Sequence, residues 1–523
     1  MSDPVSDPVG APVWPDGLEE AFATYERALA DDDLVVLDRL FAPGPATLRG
    51  DASGLLVGHD AISAFRSGRG GAPVRTLVET HLQVVDADHA VVVAVTEPAH
   101  GGRGLQTQVW ERQPDGWVVT AAHVTQAAPA LDPRVWRVVG TPLVPATTAD
   151  GALAGERVAV KDLYAVAGHP VGAGNPAWLE AAPVETEHAW AVARLLEEGA
   201  EVTGIARTDE LAYSLAGTNA HHGTPPNPRA PGRIPGGSSS GSASAVALGQ
   251  ATVGLGTDTG GSVRVPAAYQ GLFGLRTTHG AVPREGLLPL ATDFDAVGWL
   301  TRDATTLRRV GEALLPAYDG PGLGPEALVV VPALLELAEP DVRAAVTGLA
   351  EQHGAETRDW SPEALARWLP AFQTLQAWQA WQSHGGWLRG RLDTLGADVR
   401  GRFERGSRTT AAEADDARAV LVEAREQVDA LVGDRVLLLP SASSVAPRLG
   451  PGLAERLQQT RDATMRLTCL AGIGGMPALG VPVPTATGLP AGACLVAGRG
   501  RDLSLLRLAE ALSQPRNTAG PRP

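Results

Sequence analysis

The chain has 523 residues, 44% hydrophobic and 20% charged, a globular composition with length for two or three domains. Its net charge of −16, with no basic run or aromatic-basic ladder, argues against nucleic acid as a partner, because phosphate binding needs clustered positive charge. No apolar run approaches the roughly 20 residues of a membrane span, and the acidic, Pro-rich start Met1–Pro8 lacks a signal-peptide pattern, so a cytoplasmic protein with no membrane partner is expected.

Residues 1–16 are expected to be disordered. An amphipathic helix is predicted over Leu18–Ala30, and a short second helix over Val35–Phe41 after the Asp31-Asp32-Asp33 run. Strand patterns follow at Val74–Val85, His89–Thr96, Gly104–Gln113 and Trp117–Val124, the last two joined by a turn at Pro114-Asp115-Gly116. Two helices followed by an antiparallel sheet predict an α+β domain over residues 17–126, with 127–149 as linker. From 150 to 512, strands such as Arg157–Val160 and Ala251–Gly256 alternate with helices such as Thr186–Glu198 and Ser240–Gln250, which predicts an α/β domain around a mixed sheet. Residues 360–432 read as helical and carry five tryptophans, which either fill the core or wall a pocket. Leu437–Pro440 and Ala478–Val481 read as buried strands, and 513–523 as a disordered end. Cys469 and Cys494 sit in apolar surroundings without ligand spacing and read as small buried hydrophobes, with no metal or cofactor expected.

Lys161 is the only lysine, so 43 − 1 = 42 of the Lys+Arg side chains are arginine. Arginine replaces lysine wherever charge alone is needed, but it does not give up its proton. Lys161 is therefore either the survivor of a compositional drift or a group kept for proton transfer. Downstream lie two Gly/Ser runs, Pro235–Ser242 and Gly256–Pro266. Gly237–Gly241 matches the Gly-x-Ser-x-Gly pattern that would make Ser239 a nucleophile on a strand-to-helix elbow. The three prolines between Asn227 and Pro235 exclude the strand that such an elbow needs. In the second run, Gly260 and Gly261 let the backbone curl so that the N–H groups of Thr259, Gly260, Gly261 and Ser262 point to one spot, as an oxyanion hole requires.

These residues carry a resemblance. Val158–Leu163, the stretch around Arg207–Ala212, both Gly/Ser runs and Gly271–Leu275 resemble the amidase signature hydrolases over about residues 150–512. Gly172–Trp178 and Thr218–Pro225 are similar to indole-3-acetamide hydrolases in particular. The resemblance implies an α/β amidase signature fold, a mixed central sheet covered by helices. It also implies a Ser-cisSer-Lys arrangement, with Ser262 as nucleophile, Ser238 as bridging serine after a cis Gly237–Ser238 peptide, and neutral Lys161 as base. Ser239, Asp258 and Arg264 are expected to support the loop. Ser240, Gln270 and Arg276-Thr277 depart from common family residues, the last replacing Lys-Pro. His221 and His222 match subgroup positions without a general-base role.

Phe22–Tyr25, Arg49, Gly58–Arg66, Gln106–Trp110 and Trp117–His123 resemble the cone-shaped fold of nuclear transport factor 2-like proteins. The similarity is to the AtzH-like subgroup linked to cyanuric-acid breakdown. It implies a pocket in which Tyr25, Arg49, Arg66 and His123 recognise a small carboxylate or carbamate, or else a domain for assembly, including a homodimer. The expected activity is hydrolysis of a small carboxamide to carboxylate plus ammonia or amine. The alternatives are a carboxylated urea or biuret-type substrate, with the cone domain handling a related step, and a catalytically silent binding protein. The tryptophans lean toward an aryl-acetamide.

Overall fold

The computed structural model describes residues 13–51, 54–69, 75–98, 104–125, 131–317, 320 and 322–513. The expected disordered ends fall mainly on 1–12 and 514–523, outside the described residues, as does 126–130 of the expected linker. The chain divides into two units, Met1–Leu131 and Asp132–Pro523.

In the first unit, helix α1 spans Leu18–Ala30 as predicted, and α2 spans Leu34–Arg39. The second helix starts there because the Asp33 carboxylate accepts the Val36 N–H at 3.1 Å, an N-cap. Six strands follow, interrupted by α3 (His59–Arg69): β1 (Leu48–Asp51), β2 (Gly54–Val57), β3 (Arg75–Val84), β4 (His89–Pro98), β5 (Gly104–Gln113) and β6 (Gly116–Thr125). The sheet order is β2-β1-β6-β5-β4-β3, with β1 and β6 parallel and the remaining pairs antiparallel. Strands β1 and β2 and helix α3 were not anticipated, the strands because four residues broken by Gly50, Asp51 and Gly54 carry no readable alternation. Period-two alternation turns Ala90, Val92, Ala94, Trp110 and Val119 inward, where they pack with Leu18, Phe22 and Tyr25 of α1.

The second unit is built on an eleven-stranded mixed sheet. Its strands are β7 (Trp136–Val144), β8 (Arg157–Lys161), β9 (Glu201–Ala206), β10 (Val253–Asp258), β11 (Phe273–Arg276), β12 (Ala296–Thr301), β13 (Leu328–Val330), β14 (Glu356–Thr357), β15 (Val436–Pro440), β16 (Ala478–Pro484) and β17 (Pro490–Val496). The order is β14-β13-β15-β17-β16-β11-β12-β10-β8-β9-β7. Strand β7 corrects the expected linker: residues 136–144 pair antiparallel with β9 at the sheet edge, where Pro142 is tolerated.

Strands β8 and β10 are parallel neighbours, registered Leu255↔Val160, so Lys161 and Thr257 emerge at the same carboxyl end of the sheet. Val158, Ala159 and Val160 are buried, the continuous apolar pattern of a strand covered on both faces. Helix Ser240–Ala247 packs on this part of the sheet through small residues. A Cβ at Gly254 would lie 2.8 Å from the Ser242 carbonyl oxygen, so helix and strand meet backbone to backbone. The segment 360–432 holds helices Leu365–Leu388, Ala397–Arg408 and Ala411–Val432. Trp368 is buried in the core, and Trp360, Trp378, Trp381 and Trp387 pack partly buried against it.

Candidate active site

Lys161 ends β8 fully buried, its side-chain nitrogen surrounded by hydroxyls. Nζ lies 2.8 Å from Ser238 Oγ, 3.0 Å from Ser239 Oγ and 2.7 Å from Thr257 Oγ1. Burial pushes the Lys161 pKa down to about 7, against the pull of Asp209, Asp258 and Asp295, none of which touches it. Thr257 was missed in the sequence, although its place beside Asp258 at the end of a strand parallel to β8 was the available signal.

Ser238 follows a cis Gly237–Ser238 peptide. Its carbonyl accepts from Thr208 Oγ1 at 2.9 Å and from the Asp209 N–H at 3.2 Å. The Asp209 carboxylate accepts the Gly217 N–H at 2.9 Å and the Ser240 hydroxyl at 3.1 Å, while burial raises its own pKa to about 6. Serine at position 240 therefore adds a tether. A Cβ at Gly237 would meet Asp209 Oδ2 at 2.4 Å, so glycine is required there. Gln270 supports the same loop by donating to the Pro235 carbonyl at 3.1 Å.

The loop after β10 is organised by Asp258. Its carboxylate accepts the N–H groups of Gly261, Val263 and Arg264 and pairs with the Arg264 guanidinium at 2.8 and 3.0 Å. Arg276 also donates to the Asp258 carbonyl. Burial alone would raise the Asp258 pKa, but the two guanidinium groups hold it well below the usual carboxylate range. The expected oxyanion set is corrected at one position: the Gly261 N–H, at φ +123°, is committed to Asp258 at 2.9 Å. The N–H groups of Thr259, Gly260 and Ser262 have no acceptor among the described residues. Thr259 is further fixed by Asp295, 2.6 Å from its hydroxyl, and Gly260 by Thr468, which donates to its carbonyl at 2.7 Å. Asp295 lies 36 positions downstream, too far for local pattern to reveal it.

Ser262 is nearly buried and lines a narrow cavity of about 20 Å³ with Thr259, Gly260, Tyr213, Leu290, Gln376, Arg461 and Met465. A larger cavity of about 430 Å³ shares Ser214, Leu215 and Arg461 with it. No tryptophan lines either one; Trp387 and Trp178 line a separate apolar cavity, which removes the reason for favouring an aryl substrate. His221 hydrogen-bonds Glu210 at 2.8 Å. His222 packs at 3.0 Å from Arg207, with its pKa lowered to about 4 by burial and then by that guanidinium. Neither histidine lines the Ser262 cavity. Cys469 and Cys494 are buried and unpaired, burial raising their thiols to about 12 and about 11. Among the described residues, no group of three or more His, Cys, Asp and Glu converges on a metal-sized site.

In the small unit, Tyr25, Arg49 and Arg66 are buried. Arg49 lies 4.5 Å from the Phe65 ring centroid and 2.7 Å from Asp51, and Arg66 lies 3.9 Å from that of Phe41. Burial raises the Tyr25 hydroxyl pKa, with Arg66 opposing. The Gln108 amide nitrogen is buried without a partner among the described residues. His123 does not join this set. It alternates with inward Ala122 on β6, so its exposed ring lies on the outer face beside Gly50.

A mixed sheet that brings a buried lysine and two serine-bearing loops together at the carboxyl ends of its strands is the framework of an amide hydrolase. The chain belongs to the amidase family: residues 144–317 match the Amidase family model, and residues 11–129 match the AtzH-like model. It is 35% identical to Amidase 1 of Arabidopsis thaliana over 69% of this chain and 93% of that protein. It is 34% identical to the 2-amino-5-chloromuconic acid deaminase of Comamonas testosteroni, over 64% and 75% of the two chains. A crystal structure of an amidase superposes with a TM-score of 0.63 at 34% identity, covering 69% of this chain and 85% of that one. The protein is an amide-hydrolysing enzyme with an AtzH-like N-terminal domain.

Proposed function

We propose that the enzyme hydrolyses a small carboxamide to a carboxylate and ammonia or an amine, through an acyl-enzyme on Ser262. The observation that carries this reading is the 2.8 Å contact between Ser238 Oγ and a fully buried Lys161 with a pKa near 7 and no carboxylate in contact. A neutral amine has two N–H donors and one lone pair, which matches three surrounding hydroxyls, each able to donate or accept. Ser238 donates its proton to the Lys161 lone pair and takes that of Ser262, whose Oγ attacks the amide carbon. The carbonyl oxygen gains negative charge and is held by the N–H groups of Thr259, Gly260 and Ser262. As the C–N bond breaks, the proton returns through Ser238 to the leaving nitrogen. Water then attacks the acyl-enzyme by the same relay, releasing the acid and restoring Ser262.

A serine-directed fluorophosphonate tests the assignment. It is expected to label the wild type and not Ser262→Ala; undiminished labelling of that variant refutes the nucleophile. For the AtzH-like domain, a buried unpartnered Gln108 amide nitrogen together with the buried Tyr25, Arg49 and Arg66 supports a pocket for a small anion. A Tyr25→Phe, Arg49→Gln variant is expected to lose calorimetric binding of small carboxylates, and unchanged binding refutes that pocket.

A further inference from the structure

Arg461 stands out among the arginines. It projects from helix Leu453–Gly474 into the join between the Ser262 cavity and its larger neighbour. Its Nε is buried without a hydrogen-bond partner, and it forms no ion pair among the described residues. Arg276, Arg400, Arg435 and Arg456 also carry a buried unpartnered Nε, but each donates through another guanidinium nitrogen, and Arg137 Nε is ion-paired with Asp162 at 2.8 Å. Arg461 does not.

Asp398 and Asp462 attract it from a distance, but no carboxylate among the described residues pairs with it in contact. Asp398 is engaged at 2.6 and 2.7 Å by Arg402, which also donates to the Tyr213 carbonyl. Asp462, the next residue along the helix, is exposed. The pocket thus holds a guanidinium whose pKa burial, and then Arg402, lower to about 10. A partly buried cation whose Nε is shut away from water without an acceptor is costly unless something supplies the acceptor. The geometry points to the substrate as that supplier.

We propose that Arg461 is a specificity-determining residue that receives a carboxylate carried by the amide substrate, so the enzyme acts on small amides that bear a second, anionic group. The planar fork of arginine matches a carboxylate through two parallel N–H donors. Because Ser262 and Arg461 line one narrow cavity, the carboxylate and the scissile amide are separated by only a short linker. The proposal rests on the amidase reading of Ser262.

Two matched pairs test it and locate the carboxylate. Succinamate against 4-methylpentanamide places the anion on the acyl side; N-acetylglycine against N-isobutylacetamide places it on the amine side. The wild type is expected to favour the anionic member of one pair in kcat/KM by roughly 10- to 100-fold, the range of a charge-assisted hydrogen bond. Arg461→Gln is expected to collapse that ratio, chiefly through KM, and Arg461→Lys to keep part of it. No anionic preference in either pair, or a ratio unchanged in Arg461→Gln, overturns the proposal and leaves the amidase reading intact. Competitive inhibition of the wild type by succinate but not by succinamide is the matching result if Arg461→Gln does not fold, and equal weakness of both inhibitors overturns it. Absence of turnover of every amide together with an unlabelled Ser262 overturns the amidase reading itself, and this proposal with it.

Discussion

The Lys161 side of the site and the Arg264 side lie beneath the same strand end and are equally buried, yet their charges fare in opposite ways. Lys161 meets three hydroxyls and no carboxylate, and its pKa falls to about 7. Arg264 meets the Asp258 carboxylate in two-pronged contact, and its pKa rises above its ordinary value although burial works against it. Burial alone therefore does not decide ionisation; the presence of a carboxylate in contact does. One side is suited to moving a proton, and the other to holding a loop still.

The strongest way to break this contrast is to remove the proton acceptor. Lys161→Arg keeps a positive charge but accepts no proton, and kcat is expected to fall by roughly 10³- to 10⁴-fold; near wild-type turnover would refute the base assignment. On the other side, Asp258→Asn leaves Arg264 and Arg276 buried without their counterion. A loss of about 3 to 5 kcal/mol in unfolding free energy is expected by denaturant titration, with kcat reduced because the loop loses its tether. A variant as stable as the wild type would show that the network is not structural.

The pH profile sharpens the comparison. Only neutral Lys161 accepts a proton, so kcat/KM is expected to rise as pH increases through about 7. Asp209 favours the protonated amine, so Asp209→Asn should move that rising limb to lower pH; a limb that stays in place would mean another group titrates. The smallest effect is expected for Ser239→Ala, which removes one of three hydroxyls around Nζ and should cost roughly 3- to 10-fold in kcat. A loss as large as that for Lys161→Arg would put Ser239 in the relay itself.

Much of this arrangement was legible in the chain. The apolar run Val158–Val160, the glycines of the two loops and the isolated lysine each carry a local signal, and the family resemblance joined them. The rest depends on the direction a side chain takes or on partners distant in sequence. The commitment of the Gly261 N–H follows from where the Asp258 carboxylate turns, and the hold on Thr259 comes from Asp295 across a loop. The resemblance implies His123 in the pocket, whereas a β-bulge on β6, opposite Val109/Trp110, shifts the register that decides which residues face inward and leaves His123 exposed. Strand β7 carries little strand signal because its pairing with β9 is irregular, with breaks between Trp136/Val138 and Val139/Val144.

Arg276 shows what a tolerated exchange looks like. Standing where the family resemblance implies lysine, it reaches Asp258 through one nitrogen and leaves Nε and Nη2 buried without partners among the described residues. With 42 arginines and one lysine, the chain reads like the outcome of a substitution scan in which charge was kept and titration near neutrality was not. Positions that need only charge accept the larger head group and absorb some misfit. A position that must alternate between charged and neutral would resist, and position 161, the one lysine of the chain, is where we propose that alternation.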